Sequence, residues 1–302
     1  MLGRHQTPQG ETVSVSGDVF NTLSVLTRYG QRTALYTALG HDAATPVIHQ
    51  AILNAGIDDA YVAKHPQYPN GLYESYPSGM TYHRNDAACR RLIRDIYVPP
   101  EELLLKTRGL FLSGVTLAVC YQDLDYFENL FRMARHCGVS TALDANYRPA
   151  LWASSQDAWL ALSRLLPYTD VFLPSMDDMT GLLNLQSVSA ALDAINDYPQ
   201  MTTALTMGKS GAMVHVPPMV WTAEPPKVYP DEWMLGAGDA FNGGFLATWL
   251  MGESAELALQ IGIEATAESF MLRLLSTSMN HGPDPLEDAL QMARLDKFAH
   301  AV

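Results

Sequence analysis

Residues 236–238 read Gly-Ala-Gly, Asp239 follows, and an apolar run continues through Phe245. Two glycines leading straight into a helix allow a tight backbone turn with bare N–H groups, to which the helix start adds its positive dipole end. That arrangement suits an anion whose charge grows during a reaction. Asp239, at the same junction, has the chemistry to take a proton from a hydroxyl nucleophile. An N-capping Asp after a flexible turn is the competing structural reading. Asn242, Gly243 and Gly244 are small, and are read as letting this helix pack close to a sheet.

Two other segments carry chemical types. Gly208-Lys209-Ser210 mimics the end of a phosphate-binding P-loop, but Thr203 stands where that loop requires glycine. Asp177 and Asp178 open a helix-like stretch, where the dipole alone favours carboxylates.

The elements that must position these residues alternate. Helices are predicted at 18–29, 43–55, 123–137, 155–166, 176–184, 238–250 and 254–272, with Gly30 and Gly56 as stops for the first two. Strands are predicted at 32–38, 110–115, 139–144, 170–173 and 202–207, with a short hairpin around 211–221. Such alternation predicts an α/β fold with a mostly parallel sheet and helices on both faces. Residues 61–84 break the rhythm: Gly71–Tyr76 and Met80–Arg84 flank Pro77-Ser78-Gly79, a turn signal, and read as a hairpin. With 11–15 as a further strand, this makes a small β lid on a single domain spanning 1–302. Met1–Gly10 reads as no strand.

The chain has 302 residues, 32 acidic against 19 Lys and Arg, and a net charge of −13. Hydrophobic residues make up 48% and charged residues 17%, a globular composition with enough chain for a sizeable core. The acidic balance argues against nucleic acid as a partner, which needs clustered Lys and Arg. No apolar run approaches a membrane span, and the N-terminus has no apolar signal core. Cys89, Cys120 and Cys137 form no close pair, which predicts a reducing, cytoplasmic setting.

The stretch Gly236–Phe245 resembles the C-terminal signature of the ribokinase-like (PfkB) sugar kinases. Ser16–Asn21 resembles that family's sugar-binding Gly-Gly-x-x-x-Asn, and Thr37–Asp42 its G-x-x-G-x-D turn with Thr37 for the first glycine. Within the family the likeness is greatest to 2-keto-3-deoxygluconate kinases, through Gly71-Leu72-Tyr73, Tyr82-His83-Arg84, Leu112–Thr116 and above all Leu143–Trp152. The resemblance implies a ribokinase-like fold and an ATP- and Mg²⁺-dependent kinase of 2-keto-3-deoxygluconate or a similar sugar acid. It implies Asp239 as general base, with Gly236, Ala237 and Gly238 as the anion hole. It implies Gly17, Asn21, Tyr73, Tyr82, Arg84 and Arg148 as substrate contacts; guanidinium groups match a carboxylate with paired donors. It implies Thr206, Gly208 and Gly211 along the nucleotide, Asp178 near the metal, and a homodimer paired through the lid.

The chain departs from that pattern in four places. The strand with which the family opens is missing. Trp233-Met234-Leu235 replaces Asp-Thr-x before the glycines, the lid hairpin is short, and Asn280–Pro283 lacks an Asp seen in some relatives. A family member that binds a sugar acid or nucleotide without efficient turnover, and a kinase of another sugar such as fructose, are the alternatives.

Overall fold

The structure is a computed structural model that describes residues 1–7, 10–76, 79–227 and 235–278. Pro77, Ser78, Trp233, Met234 and Asn280–Pro283, singled out above, lie outside the described residues.

The body is a six-stranded sheet. Its strands are β7 (Gly109–Ser113), β8 (Ser140–Asp144), β9 (Val171–Leu173), β10 (Thr202–Thr206), β11 (Ala212–Val216) and β12 (Met219–Ala223). They lie in the order β12-β11-β10-β9-β8-β7. β7 to β10 run parallel, and the β11–β12 hairpin closes the far side antiparallel. Buried apolar residues alternate along these strands. Ala142, Val171, Leu173, Ala204 and Val214 face one helix layer, and Leu143, Phe172, Leu205 and Met213 face the other. This period-two pattern with both faces apolar is what covering helices impose on a sheet.

The first layer contains α1 (Asp18–Arg28), α2 (Thr45–Asn54), α10 (Ala237–Trp249) and α11 (Ala255–Ser278). The second contains α5 (Gly114–Val119), α6 (Leu124–His136), α7 (Ser155–Ser163), α8 (Met176–Leu183) and α9 (Val188–Asp193), with α3 (Leu92–Asp95) at its edge. Short α4 (Pro100–Leu104) packs on α6. Helices α3, α4 and α9 are too short for the apolar period to have marked them.

Two smaller sheets complete the chain. β3 (Thr37–Leu39) pairs in parallel with β4 (Val62–Lys64). The backbone is already paired two turns of the pleat earlier, where Leu35 N donates to Asp58 O. The other sheet runs β2-β1-β5-β6, from β1 (Leu2–Thr7), β2 (Gly10–Val15), β5 (Leu72–Tyr76) and β6 (Gly79–His83). Met1–Gly10 was expected to form no strand, yet β1 lies inside this sheet, antiparallel to β2 and parallel to β5. Its sequence LGRHQT does not alternate cleanly because pairing on both edges, rather than one buried face, holds it.

The small residues of α10 also act differently from expectation. A Cβ on Gly243 would meet Val25 and the Thr22 carbonyl of α1, and one on Gly244 would meet Ala265 and the Ile261 carbonyl of α11. They bring α10 against two neighbouring helices, not against the sheet.

Candidate active site

The carboxyl ends of the parallel strands converge on one cleft, the usual place for a ligand in an open α/β sheet. β7 ends at Ser113, β8 at Asp144 and β10 at Thr206, and each carries a polar side chain there. A connected cavity of about 2740 Å³ opens over these ends. Every residue predicted above for catalysis, substrate, nucleotide or metal lines it.

The catalytic candidate sits at the start of α10. Gly236 occupies the N-cap with φ 75°, a left-handed backbone that favours glycine. Asp239 is therefore three residues inside the cap position, and no side chain caps this helix. The N-capping reading of Asp239 fails on that point. Instead Asn21 Nδ2 donates to Asp239 Oδ2 at 2.7 Å, across 218 residues of sequence. Asn21 is held in the first turn of α1, where its own N–H donates to Gly17 O. Gly238 is exposed, and a Cβ there would meet nothing within 4 Å, so space for a ligand lies directly over the helix start.

Beside this pair lies a polar network that sequence reasoning left unassigned. Asp18 accepts from Ser113 Oγ through a short contact, and from Asn146 Nδ2 at 3.1 Å. Asp144 accepts from the Asn146 N–H at 3.0 Å and from Asn242 Nδ2 at 3.1 Å. Burial first, then the nearby carboxylates of Asp178, Asp239 and Asp18, push the Asp144 carboxyl well above its ordinary pKa. Polar residues closing otherwise apolar strand runs, Ser113 and Asp144, were the available signal.

Asn146 has φ 32°, and this bend turns the chain out of β8 toward Arg148. Arg148 is exposed on the cavity wall, and its Nη1 donates to Tyr147 O at 3.1 Å. The loop is clamped from below: Tyr147 N donates to Asp178 Oδ1 at 2.7 Å. The other oxygen of Asp178 accepts from Ser175 N and Oγ in a reciprocal cap of α8. Both oxygens of Asp178 thus accept hydrogen bonds within the fold at the cavity wall, and neighbouring Asp177 is exposed there. Among the described residues, no three His, Cys, Asp or Glu side chains group closely enough to hold a metal ion.

The lid sheet supplies the opposite wall. Tyr73 is buried, its hydroxyl 3.1 Å from Ser14 Oγ and 3.4 Å from His5 Nε2. Its ring lies 6.1 Å from that of Tyr82, and the Arg84 guanidinium stacks 4.5 Å from the Tyr82 ring centroid. Partial burial lowers the Arg84 pKa from its ordinary value.

The loop Thr206–Gly211 bends through Gly208 at φ 56° and Gly211 at φ 87°, and Met207 N donates to Gly211 O. A Cβ on Gly211 would lie 2.1 Å from Ala223 O, so glycine is required there. The loop lies on the same cavity as the α10 start.

The model of the pfkB family carbohydrate kinases matches residues 3–272. The chain belongs to that family, and it is a carbohydrate kinase. Among curated relatives, 2-dehydro-3-deoxygluconokinase of Escherichia coli K12 is 28% identical over 262 residues, 82% of this chain and 84% of that one. A 2-dehydro-3-deoxygalactonokinase of Haloferax volcanii is 31% identical over 198 residues, 63% of this chain and 59% of that one. Among solved structures, a PfkB protein from Polaromonas superposes with a TM-score of 0.77 at 22% identity, covering 89% of this chain and 92% of its own. The 2-dehydro-3-deoxygluconokinase of Thermotoga maritima gives 0.76 at 19% identity, over 89% and 91%. These likenesses establish the ribokinase-like fold. No helix among the described residues is long and apolar enough to cross a membrane.

Proposed function

We propose that this carbohydrate kinase transfers the γ-phosphoryl group of ATP to a hydroxyl of 2-keto-3-deoxygluconate or a closely similar sugar acid. The observation that carries the reading is the joining of Asn21 and Asp239 at the α10 start, in one cavity with two arginines. Asp239 accepts the hydroxyl proton as the substrate oxygen attacks phosphorus. The bond from the γ-phosphorus to the bridging oxygen breaks, and its electron pair leaves with ADP. Asn21 holds the carboxylate toward the substrate. The N–H groups of Gly236, Ala237 and Gly238 face the transferring phosphoryl, where positioning and electrostatics do most of what the reaction needs.

Arg148 and Arg84 receive the substrate carboxylate, with Tyr73 and Tyr82 beside it and Gly17 leaving room for the sugar. Carboxylates of Asp18, Asp178 and Asp239 crowd this cleft around Asp144, so an anionic substrate needs both guanidinium groups and a divalent cation. The loop Thr206–Gly211 runs along the nucleotide phosphates. Magnesium, when bound, neutralises phosphate charge, and Asp177 and Asp178 are the carboxylates that would face it.

The two arginines favour the sugar acid over a neutral sugar such as fructose. Arg148→Ala should raise KM for 2-keto-3-deoxygluconate by roughly 10- to 100-fold, the worth of a lost charge-assisted contact. KM for fructose, measured in the same coupled assay, should move little. Equal effects on both sugars would refute the assignment of Arg148. The exposed edges of the lid sheet favour pairing of two chains, with Val13, Tyr76 and Tyr82 exposed on it. Light scattering of the purified chain should give twice the mass of 33.2 kDa; a monomer would contradict the dimer.

A further inference from the structure

Asp18 is a carboxylate of the cleft that takes no part in the reaction assigned above. It opens α1 just under one turn ahead of Asn21, the residue that holds Asp239. The helix dipole alone favours a carboxylate in the first turn. It does not account for the side chains gathered on this one. Ser113 Oγ and Asn146 Nδ2 both donate to Asp18 Oδ2, the second at 3.1 Å. Both donors are buried, and Asn146 Nδ2 also reaches Ser113 Oγ at 3.3 Å, so the three side chains close a triangle. Ser113 ends β7, and Asn146 lies in the bend after β8. Two strands and a helix therefore fix where this carboxylate stands.

Its other oxygen is open. Asp18 Oδ1 accepts from none of the described residues, and the side chain is half-buried on the cavity wall. Arg84 is a charged neighbour, yet no hydrogen bond joins the two. A carboxylate accepts hydrogen bonds, and a sugar hydroxyl donates them. Held by two donors on one side and open on the other, Asp18 suits a hydroxyl of the substrate and repels its carboxylate.

Its place along the cleft says which hydroxyl. Asn21 binds Asp239, where the reacting end of the sugar acid is placed. Side chains three apart on a helix stand ~5–6 Å from each other at their bases. On the other side, Asn146 stands two residues before Arg148, which is assigned the acid end. Asp18 thus lies between the two ends of the substrate, against its middle. Numbered from the carboxyl carbon, 2-keto-3-deoxygluconate has its ketone at C2, a methylene at C3 and hydroxyls at C4, C5 and C6. The hydroxyl nearest the middle of that chain is the one at C4.

We propose that Asp18 is a specificity-determining residue of this kinase: its Oδ1 accepts from the C4 hydroxyl of the bound keto acid and so selects the configuration at that carbon. Inverting C4, as in 2-keto-3-deoxygalactonate, turns the hydroxyl away and leaves the carboxylate without its donor. Ser113 and Asn146 are the positioning residues that aim it. The inference rests on the sugar-acid reading and refines it.

The test measures kcat/KM for 2-keto-3-deoxygluconate and for 2-keto-3-deoxygalactonate, with MgATP, in the parent chain and in Asp18→Ala. The parent should favour the gluconate by about 10-fold or more, and the variant should treat the two acids within about 3-fold of each other. A residue that only ties α1 to the strands would lower both values alike and leave their ratio unchanged. Should Asp18→Ala fail to fold, Asp18→Asn takes its place, since an amide oxygen can keep both donors. The ratio should then fall by at least about 3-fold, with the charge lost from the contact. A parent that uses the two epimers equally or prefers the galactonate, or a ratio that survives in the folded variant, would overturn the role of Asp18 and leave the kinase reading standing. A parent that phosphorylates neither acid would overturn both.

Discussion

Asp144 is buried at the end of β8, on the wall of the cavity at the centre of the site. Its carboxyl is buried among other carboxylates and its pKa is raised, so the folded protein favours the neutral form. A group raised on folding lends stability that is complete below its unfolded value and is lost as pH rises toward the folded one. The stability of the chain should therefore fall, through this group, as pH climbs above the ordinary carboxylate range. Asp144→Asn cannot ionise and escapes that loss. The Tm of the variant relative to the parent should thus rise between about pH 5 and about pH 8. A difference that stays constant, or that moves the other way, would show Asp144 ionised in the fold. Legibility at this scale was uneven. Asp239 and Asn21 could be read because glycines flank them in short local patterns. The Asp18–Ser113–Asn146 network joins residues up to 128 positions apart; a polar residue closing an apolar strand run marks Ser113, but no local pattern marks its partners. Asp178 is read for a metal; its bonds to Ser175 and to the Tyr147 N–H, which cap α8 and hold the Arg148 loop, form no part of that reading.

At the scale of elements, the approach of α1 to α10 sets the 2.7 Å contact between Asn21 and Asp239. Gly243 permits that approach, since a Cβ there would lie 2.5 Å from Val25 Cβ and 2.9 Å from Thr22 O. Gly243→Ala must push the helices apart, at an overpacking cost of about 1–3 kcal/mol. Tm should fall by roughly 2–10 °C, and kcat should fall with it as Asn21 leaves Asp239. Unchanged kcat in a destabilised variant would mean that the contact does not orient the base. Core helices and strands were legible because each buries a face with a fixed period, as in α6, where Phe127, Leu130, Phe131 and Ala134 recur three and four apart. β1 was not. Its residues are chosen by pairing with β2 and β5, and pairing leaves little trace in a single sequence. The role of Gly243 and Gly244 was legible only as closeness; which partner approaches is a property of the assembled layers.

Across the whole molecule, the acidic character and the chemistry pull in opposite directions. A chain of net charge −13 that is to bind ATP and a sugar acid, as proposed, must gather its positive potential locally. It does so with Arg84 on the lid, Arg148 on the loop after β8, and the N-terminus of α10. The three come from separate elements, so the site exists only when lid and body are assembled over the strand ends. The central claim is that this assembly is a sugar-acid kinase with Asp239 as its base. The most direct measurement is ATP consumption by the purified chain with Mg²⁺, with and without 2-keto-3-deoxygluconate, beside the Asp239→Asn variant. Consumption should depend on the keto acid and fall by about 10²–10⁴ in the variant, the usual weight of a general base. A folded chain that consumes no ATP with the keto acid, or one whose turnover survives Asp239→Asn, would contradict the account.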